Sequence, residues 1–280
     1  MTTPLHPAHR PVRAASPAIR RALIAGALFF LALFVVVPLA AVFATALRDG
    51  LARYGAAVSD PEALAAIRLT LLTAAIAVPL NVVFGLAAAW AIAKFRFRGK
   101  DLLVTIIDLP FSISPVVAGL LFVLLFGRQG WLGPWLAGHG VRVVFAVPGI
   151  VIATVFVTLP YVAREVLASL QGQGSTEEEA ALSLGASGWQ VFFRVTLPKI
   201  RWALLYGVML CTARAMGEFG AVSVVSGHVR GETITVPLHA EILYNQYDLV
   251  GAFAVASLLA VVALATLATK KYVEWRSVRA

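Results

Sequence analysis

The chain is 280 residues long, 60% hydrophobic and only 13% charged, the composition of a polytopic membrane protein. Its net charge of +9 fits basic cytoplasmic loops rather than a nucleic-acid partner. The lone cysteine, Cys211, excludes a disulfide framework.

Residues 1–21 form a polar tail with Pro4, Pro7, Pro11, Pro17 and four arginines, expected to be disordered and cytoplasmic. Residues 22–46 are apolar over the roughly 20 residues a spanning helix needs, too long for a signal-peptide core. A mixed-charge loop, 48–68, leads to a second span at 69–93, interrupted by Pro79, Asn81 and Gly85. A basic turn with Lys94, Arg96, Arg98 and Lys100 precedes the third span, 102–126, which contains Asp108, Pro110, Ser112, Ser114 and Pro115. Breaks of this kind are tolerated where neighbouring helices or a water-filled cavity satisfy the freed backbone groups. Asp108, Ser112 and Ser114 are therefore candidate pathway residues. A short loop and a fourth span, 143–163, follow.

Residues 171–201 are the longest polar interruption between apolar segments. Ser175 with Glu178, or Thr176 with Glu179, can form a capping box, and so can Ser187 with Gln190. Glu177, Glu178 and Glu179 fall in a first helical turn, where the helix dipole favours negative charge. Gly185 is placed to end that helix with a left-handed cap, and Pro198 to open the next one. Two short helices joined by a glycine turn describe a docking element.

The fifth span, 202–225, carries Arg214 and Glu218 four residues apart. If hydrocarbon begins near Trp202, Arg214 lies roughly 18 Å deep at about 1.5 Å per residue, a costly place for a charge. The pair is expected either to brace the helix or to lend positive potential to an anion pathway. Residues 226–248 are polar, 249–269 make a sixth span, and 270–280 are a basic tail. With both termini and the second and fourth loops inside, 16 of the 23 lysines and arginines face the cytoplasm, as the positive-inside rule requires. The expected fold is an all-α membrane protein with six transmembrane helices and both termini cytoplasmic.

Glu179-Ala180-Ala181, Gly185 after three residues, and Val195-x-Leu197-Pro198 after nine more resemble the cytoplasmic signature of ABC importer permeases, with Val195 where isoleucine is usual. The resemblance covers about residues 69–272 and implies a type I importer permease core. It makes 171–201 a coupling loop for a separate ATPase subunit, through Glu179, Ala180, Ala181, Gly185, Leu197 and Pro198. It also implies a second permease subunit, a periplasmic binding protein and a bacterial inner membrane, with residues 1–21 and 273–280 as cytoplasmic tails. The stretch 214–248 is similar to the W-type subunit of sulfate/thiosulfate permeases, Ser226-Gly-His-Val-Arg230-Gly-Glu-Thr tilting towards sulfate. The core Gly217-Glu-Phe-Gly-Ala221 is shared with molybdate permeases, so molybdate or tungstate stays open. On this reading His228 and Arg230 dock a periplasmic sulfate-binding protein.

The sequence holds no G-x-x-x-x-G-K-[ST] phosphate loop, so ATP and Mg are expected on the partner ATPase, with no cofactor in this chain. Its five histidines are scattered without metal-ligand spacing. A secondary anion transporter would also use broken helices and buried charge, often with an inverted repeat, but none is clear here. Asp108, Arg214 and Glu218 are a thin set for a membrane enzyme.

Overall fold

A computed structural model describes residues 17–277, and all regular structure among them is helical. The proline-rich tail lies outside the described residues except for its last five. In chain order the helices are α1 (Pro17–Leu31), α2 (Val37–Ala46), α3 (Gly50–Val58), α4 (Pro61–Lys94), α5 (Lys100–Ser112), α6 (Pro115–Phe126) and α7 (Gly133–Gly138). They continue with α8 (Val147–Gly172), α9 (Thr176–Ser183), α10 (Gly188–Val191), α11 (Leu197–Met216), α12 (Gly220–Val225), α13 (Val236–Asn245) and α14 (Leu249–Ser277).

Two joints are π turns, Ala32–Val36 between α1 and α2 and Phe192–Thr196 between α10 and α11. Each ends two residues before a proline, Pro38 or Pro198. A helical proline ring collides with the carbonyl four residues back, here that of Phe34 or Arg194, and the wider turn makes room for it.

Among the described residues four helices are long and apolar enough to cross a membrane: Pro17–Ala46, α4, α8 and the Leu249–Thr269 part of α14. Helices α5 and α6 make a fifth crossing only as a pair bent by 112°. The straight third span expected from the sequence is thus broken. Ser114 precedes Pro115 and is held extended, with Ile113 extended beside it. Helix α11 carries Lys199, Arg201 and Arg214 in its 20 residues and is less apolar than the others. The expected fifth span is also interrupted: α11 stops at Met216, and α12 starts at Gly220.

Two other expectations change. The loop read at 48–68 contains α3 and the first two turns of α4. Asp60 Oδ1 accepts from the Glu62 amide at 2.9 Å, and Pro61 starts the helix, an N-terminal signal hidden by the charged residues around it. The segment 226–248, read as a polar outer loop, packs inward. Ile234, Val236 and Leu238 join Ala63, Ile150, Val222 and Val255 in one core cluster.

Helices α4 and α8 form the central seam. Gly85 leaves room for α8; a Cβ there would meet the Ala163 backbone at 3.0 Å and Val162 at 3.1 Å. Asn81 is fully buried, and its Nδ2 donates to Thr158 Oγ1 at 2.7 Å and the Val155 carbonyl at 3.2 Å. Such an interhelical bond contributes about 1 kcal/mol in a membrane. The broken spans meet the same way: a Cβ on Gly119 of α6 would lie 2.8 Å from the Ala221 carbonyl, and one on Gly220 would lie 2.9 Å from Pro115 Cβ. Gly119→Ala should therefore destabilise the folded protein by about 1–3 kcal/mol. Gly55→Ala, where a Cβ meets nothing, should be neutral or stabilising by up to about 1 kcal/mol. Thermal melting of the purified protein reads both, and equal melting points would show that the α6–α12 approach is not tight.

Candidate functional site

The loop from α8 to α11 is built from local chemistry. Gly185 takes φ +87°. Its amide donates to the Leu182 carbonyl at 2.9 Å and the Ala186 amide to Ala181 at 3.0 Å, a complete Schellman end for α9. Helix α10 starts with the capping box expected at Ser187 and Gln190. Neither capping box expected at α9 forms. Ser175 Oγ instead donates to the Glu179 carboxylate. Glu178 receives Lys94 Nζ at 2.5 Å and Thr196 Oγ1 at 2.6 Å, and Glu177 faces Lys199 at 3.0 Å. Lys94 also donates to the Gly174 carbonyl at 3.0 Å. The acidic run is thus a clasp that joins the loop to the ends of α4 and α11. Sequence reading singled out the glutamates and placed Lys94 in a basic turn but paired neither, and it passed over Thr196; the Lys94–Glu178 pair is 84 residues apart and has no local signal.

Aromatic contacts complete the anchor. Trp90 lies 4.9 Å from Phe192, ring centre to ring centre, and Phe192 packs edge-on to Phe193 at 5.0 Å. With Phe192 buried, the loop turns other apolar side chains outward: Leu182, Leu184 (89% exposed), Trp189 and Phe193. Ala180 and Pro198 are exposed as well, and Ala181 and Leu197 half-buried. So many exposed apolar side chains on a polar loop fit a protein partner.

The pathway candidates are distributed differently. Asp108 is held in a fork by Arg164 of α8, with Nε on Oδ1 at 2.5 Å and the second guanidinium nitrogen on Oδ2. Ser112 and Ser114 are exposed on either side of the bend. Arg214 Nη1 lies 2.6 Å from Glu218 Oε2, with the two side chains 29% and 1% exposed. They do not share a helix as expected. Glu218 sits in the break, and its Oε1 accepts the Ala221 amide at 2.9 Å, fastening the start of α12. The two helix breaks touch through Pro115 and Gly220.

The opposite end of the molecule carries the other candidates. Arg230 contacts Glu62, at the start of α4, at 3.3 Å. His228 is exposed with φ +55°. Nearby, Arg53 pairs with Asp248 at 2.7 Å. His239 is buried, which pushes its pKa below the ordinary imidazole range, with Glu62 and Asp60 opposing and Arg230 reinforcing the shift. Lys94 and Glu62 are at the two ends of α4, whose 34 residues span roughly 50 Å. The clasped loop and the 226–248 segment therefore lie at opposite ends of the bundle. Among the described residues no cluster of histidine, cysteine, aspartate and glutamate has the arrangement of a metal site.

A clasped two-helix loop below a bundle of broken spans is the architecture of a transporter's membrane subunit. The chain belongs to the family of binding-protein-dependent transport system inner membrane components, whose pattern matches residues 81–276, and is thus a multi-pass permease subunit rather than a secondary transporter. It is 51% identical over 245 residues to the sulfate transport system permease protein CysW of Escherichia coli (strain K12), covering 88% of this chain and 84% of that one. CysT of the same strain, also a sulfate transport system permease protein, is 38% identical over 232 residues, covering 83% and 84%. The fold matches a chain in the crystal structure of a bacterial alginate ABC transporter complexed with an alginate pentasaccharide-bound periplasmic protein. The TM-score is 0.77, with 18% identity and coverage of 92% and 94%.

The clasp can be tested by charge exchange. Lys94→Glu or Glu178→Lys alone should cost on the order of 2 kcal/mol, speeding proteolysis within residues 171–201. The double exchange should recover part of that, because Thr196 loses its acceptor. Wild-type cleavage rates in both single variants would show that the loop is held by its aromatic anchor alone.

Proposed function

We propose that the chain is the permease subunit of an ATP-driven importer of sulfate or thiosulfate in the bacterial inner membrane. It crosses the membrane six times with both termini cytoplasmic, α5–α6 and α11–α12 each counting as one broken crossing. The observation that carries this is the clasped loop at one end of α4, with Leu182, Leu184, Trp189 and Phe193 turned outward. The excess of basic residues in the loops at that end supports a cytoplasmic face. There the exposed surface fits a cleft on an ABC ATPase subunit, which binds ATP and Mg. Glu179, Ala180, Ala181, Gly185, Leu197 and Pro198 shape or border that surface. Sulfate is favoured over molybdate because the relatives CysW and CysT are both named for sulfate transport. Two such permease proteins in one strain also favour a homologous sister subunit. The outer end, with His228 and Arg230, would receive a periplasmic sulfate-binding protein.

Asp108, Ser112, Ser114, Arg214 and Glu218 would border the pathway where the two broken spans meet. Because Arg164 neutralises Asp108, the carboxylate repels a passing anion little. Arg214 is partly exposed while Glu218 is not, so the pair turns its positive end outward. A fixed tight anion site would slow release; a partly neutralised arginine suits passage.

Gly185→Val tests the coupling role. Valine resists positive φ, so membrane insertion should persist while sulfate uptake and substrate-stimulated ATP hydrolysis fall together by about tenfold or more. Gly185→Asn, which tolerates the left-handed conformation, should keep most of both. Wild-type uptake in the valine variant would end this reading.

Arg214→Gln leaves Glu218 an unpaired buried charge and should cost roughly 3 kcal/mol, seen as reduced complex yield. Arg214→Gln with Glu218→Gln should recover yield but not uptake. Full uptake by the double variant would reduce the pair to a structural brace.

A further inference from the structure

We propose that the cavity at the outer end of α6 binds the phosphate headgroup of an anionic phospholipid. The cavity, about 870 Å³, lies between the end of α6, α7 and residues 140–145. Arg128 and Arg142 are the only charged residues lining it. Neither guanidinium has an acidic partner among the described residues, whereas Arg53, Arg164, Arg214 and Arg230 each hold a carboxylate. Two uncompensated arginines on one cavity make a site for an oxyanion.

The walls decide which oxyanion. Val123, Leu124, Phe126, Leu136, Val141 and Phe145 face the same space. Apolar walls offer nothing to a bare hydrated dianion, but they suit the glycerol and acyl stems behind a lipid phosphate. Trp131, just before α7, and Trp135, within it, are 90% and 62% exposed beside the cavity, as tryptophans are at the headgroup level of a bilayer. One wall is held rigidly: Phe145 keeps φ +58°, its amide donates to the Val225 carbonyl at 2.8 Å, and its ring fills the space beside Gly227. A bulky residue in that conformation persists only where its surroundings enforce it. The assignment to the outer leaflet rests on the orientation proposed above; the site itself does not.

The test uses the assembled transporter in nanodiscs of phosphatidylcholine with increasing phosphatidylglycerol, reading retained lipid by native mass spectrometry. Wild type should retain phosphatidylglycerol in preference to phosphatidylcholine. R128Q/R142Q should lower that retention about tenfold, and R128K/R142K, which keeps both charges, should keep most of it. The single variants R128Q and R142Q, each expected to lose part, serve if the double variant does not assemble. Millimolar sodium sulfate should leave the bound lipid in place. Equal retention of the two lipids by wild type, or equal phosphatidylglycerol retention by wild type and the glutamine variants, would overturn the proposal. Displacement of lipid by sulfate would give the cavity to the free anion and overturn it equally. Wild-type sulfate uptake in Gly185→Val would end the transport reading and leave the lipid result untouched, so the two can fail separately.

Discussion

The structure depends on the seam between α4 and α8. Its two components are a glycine that lets backbones approach and a buried amide that fixes their register. Lipid gives helices no hydrophobic reason to associate, so close packing and interhelical hydrogen bonds must do it. Gly85 supplies the first and Asn81 the second. Asn81 Nδ2 also lies 3.7 Å from Cys211 Sγ of α11, bringing a third helix to the same point. The core divides around this seam: one cluster gathers α4, α8, α12 and α13 at the end away from the clasped loop, and the other gathers α4, α5, α8 and α11 towards it. Because α4 runs through both, a shift at one end has a stiff route to the other.

What was legible in the sequence was what is local. The turn at Gly185 and the capping box at Ser187 each depend on residues within five positions, and both stand as their spacing implied. The apolar helices were visible too, though their ends were not. Charged residues around Asp60 disguised the start of α4, and the polar composition of 226–248 disguised its buried core residues. Two backbone amides there are satisfied in ways composition does not reveal: Thr70 Oγ1 of α4 accepts the Val236 amide at 2.9 Å, and Thr233 Oγ1 accepts that of Val229 at 3.0 Å. The ion pairs were illegible for a simpler reason. Asp108 finds Arg164 across 56 positions, and no periodicity links them.

Electrostatics gives the interior its character. Two carboxylates beside the helix breaks, Asp108 and Glu218, each face an arginine, and Glu218 is further occupied by the α12 amide. Paired this way, the acids hold helices and breaks in place without leaving a bare negative charge. Burial pushes the imidazole of His239 towards its neutral form, so it adds no charge to the pocket it shares with Arg53 and Arg230.

The π turn at Phe192–Thr196 has a consequence for how the loop and α11 evolve together. A turn closed over five residues holds one residue more than an α turn of the same height. Each residue of an α-helix advances the chain by about 100° around the axis. Deleting a single residue between Phe192 and Thr196 would let the turn relax to α geometry. Because the wide turn already fits its extra residue into about one revolution, the loop and α11 would keep nearly their present bearings, with Trp189 and Leu184 still turned outward. The short stretch is therefore a place where one residue can be lost without turning the exposed loop relative to α11, whereas a loss inside the regular part of α11 would turn the two by about 100°, and homologous chains should show single-residue length differences here more readily than within α11.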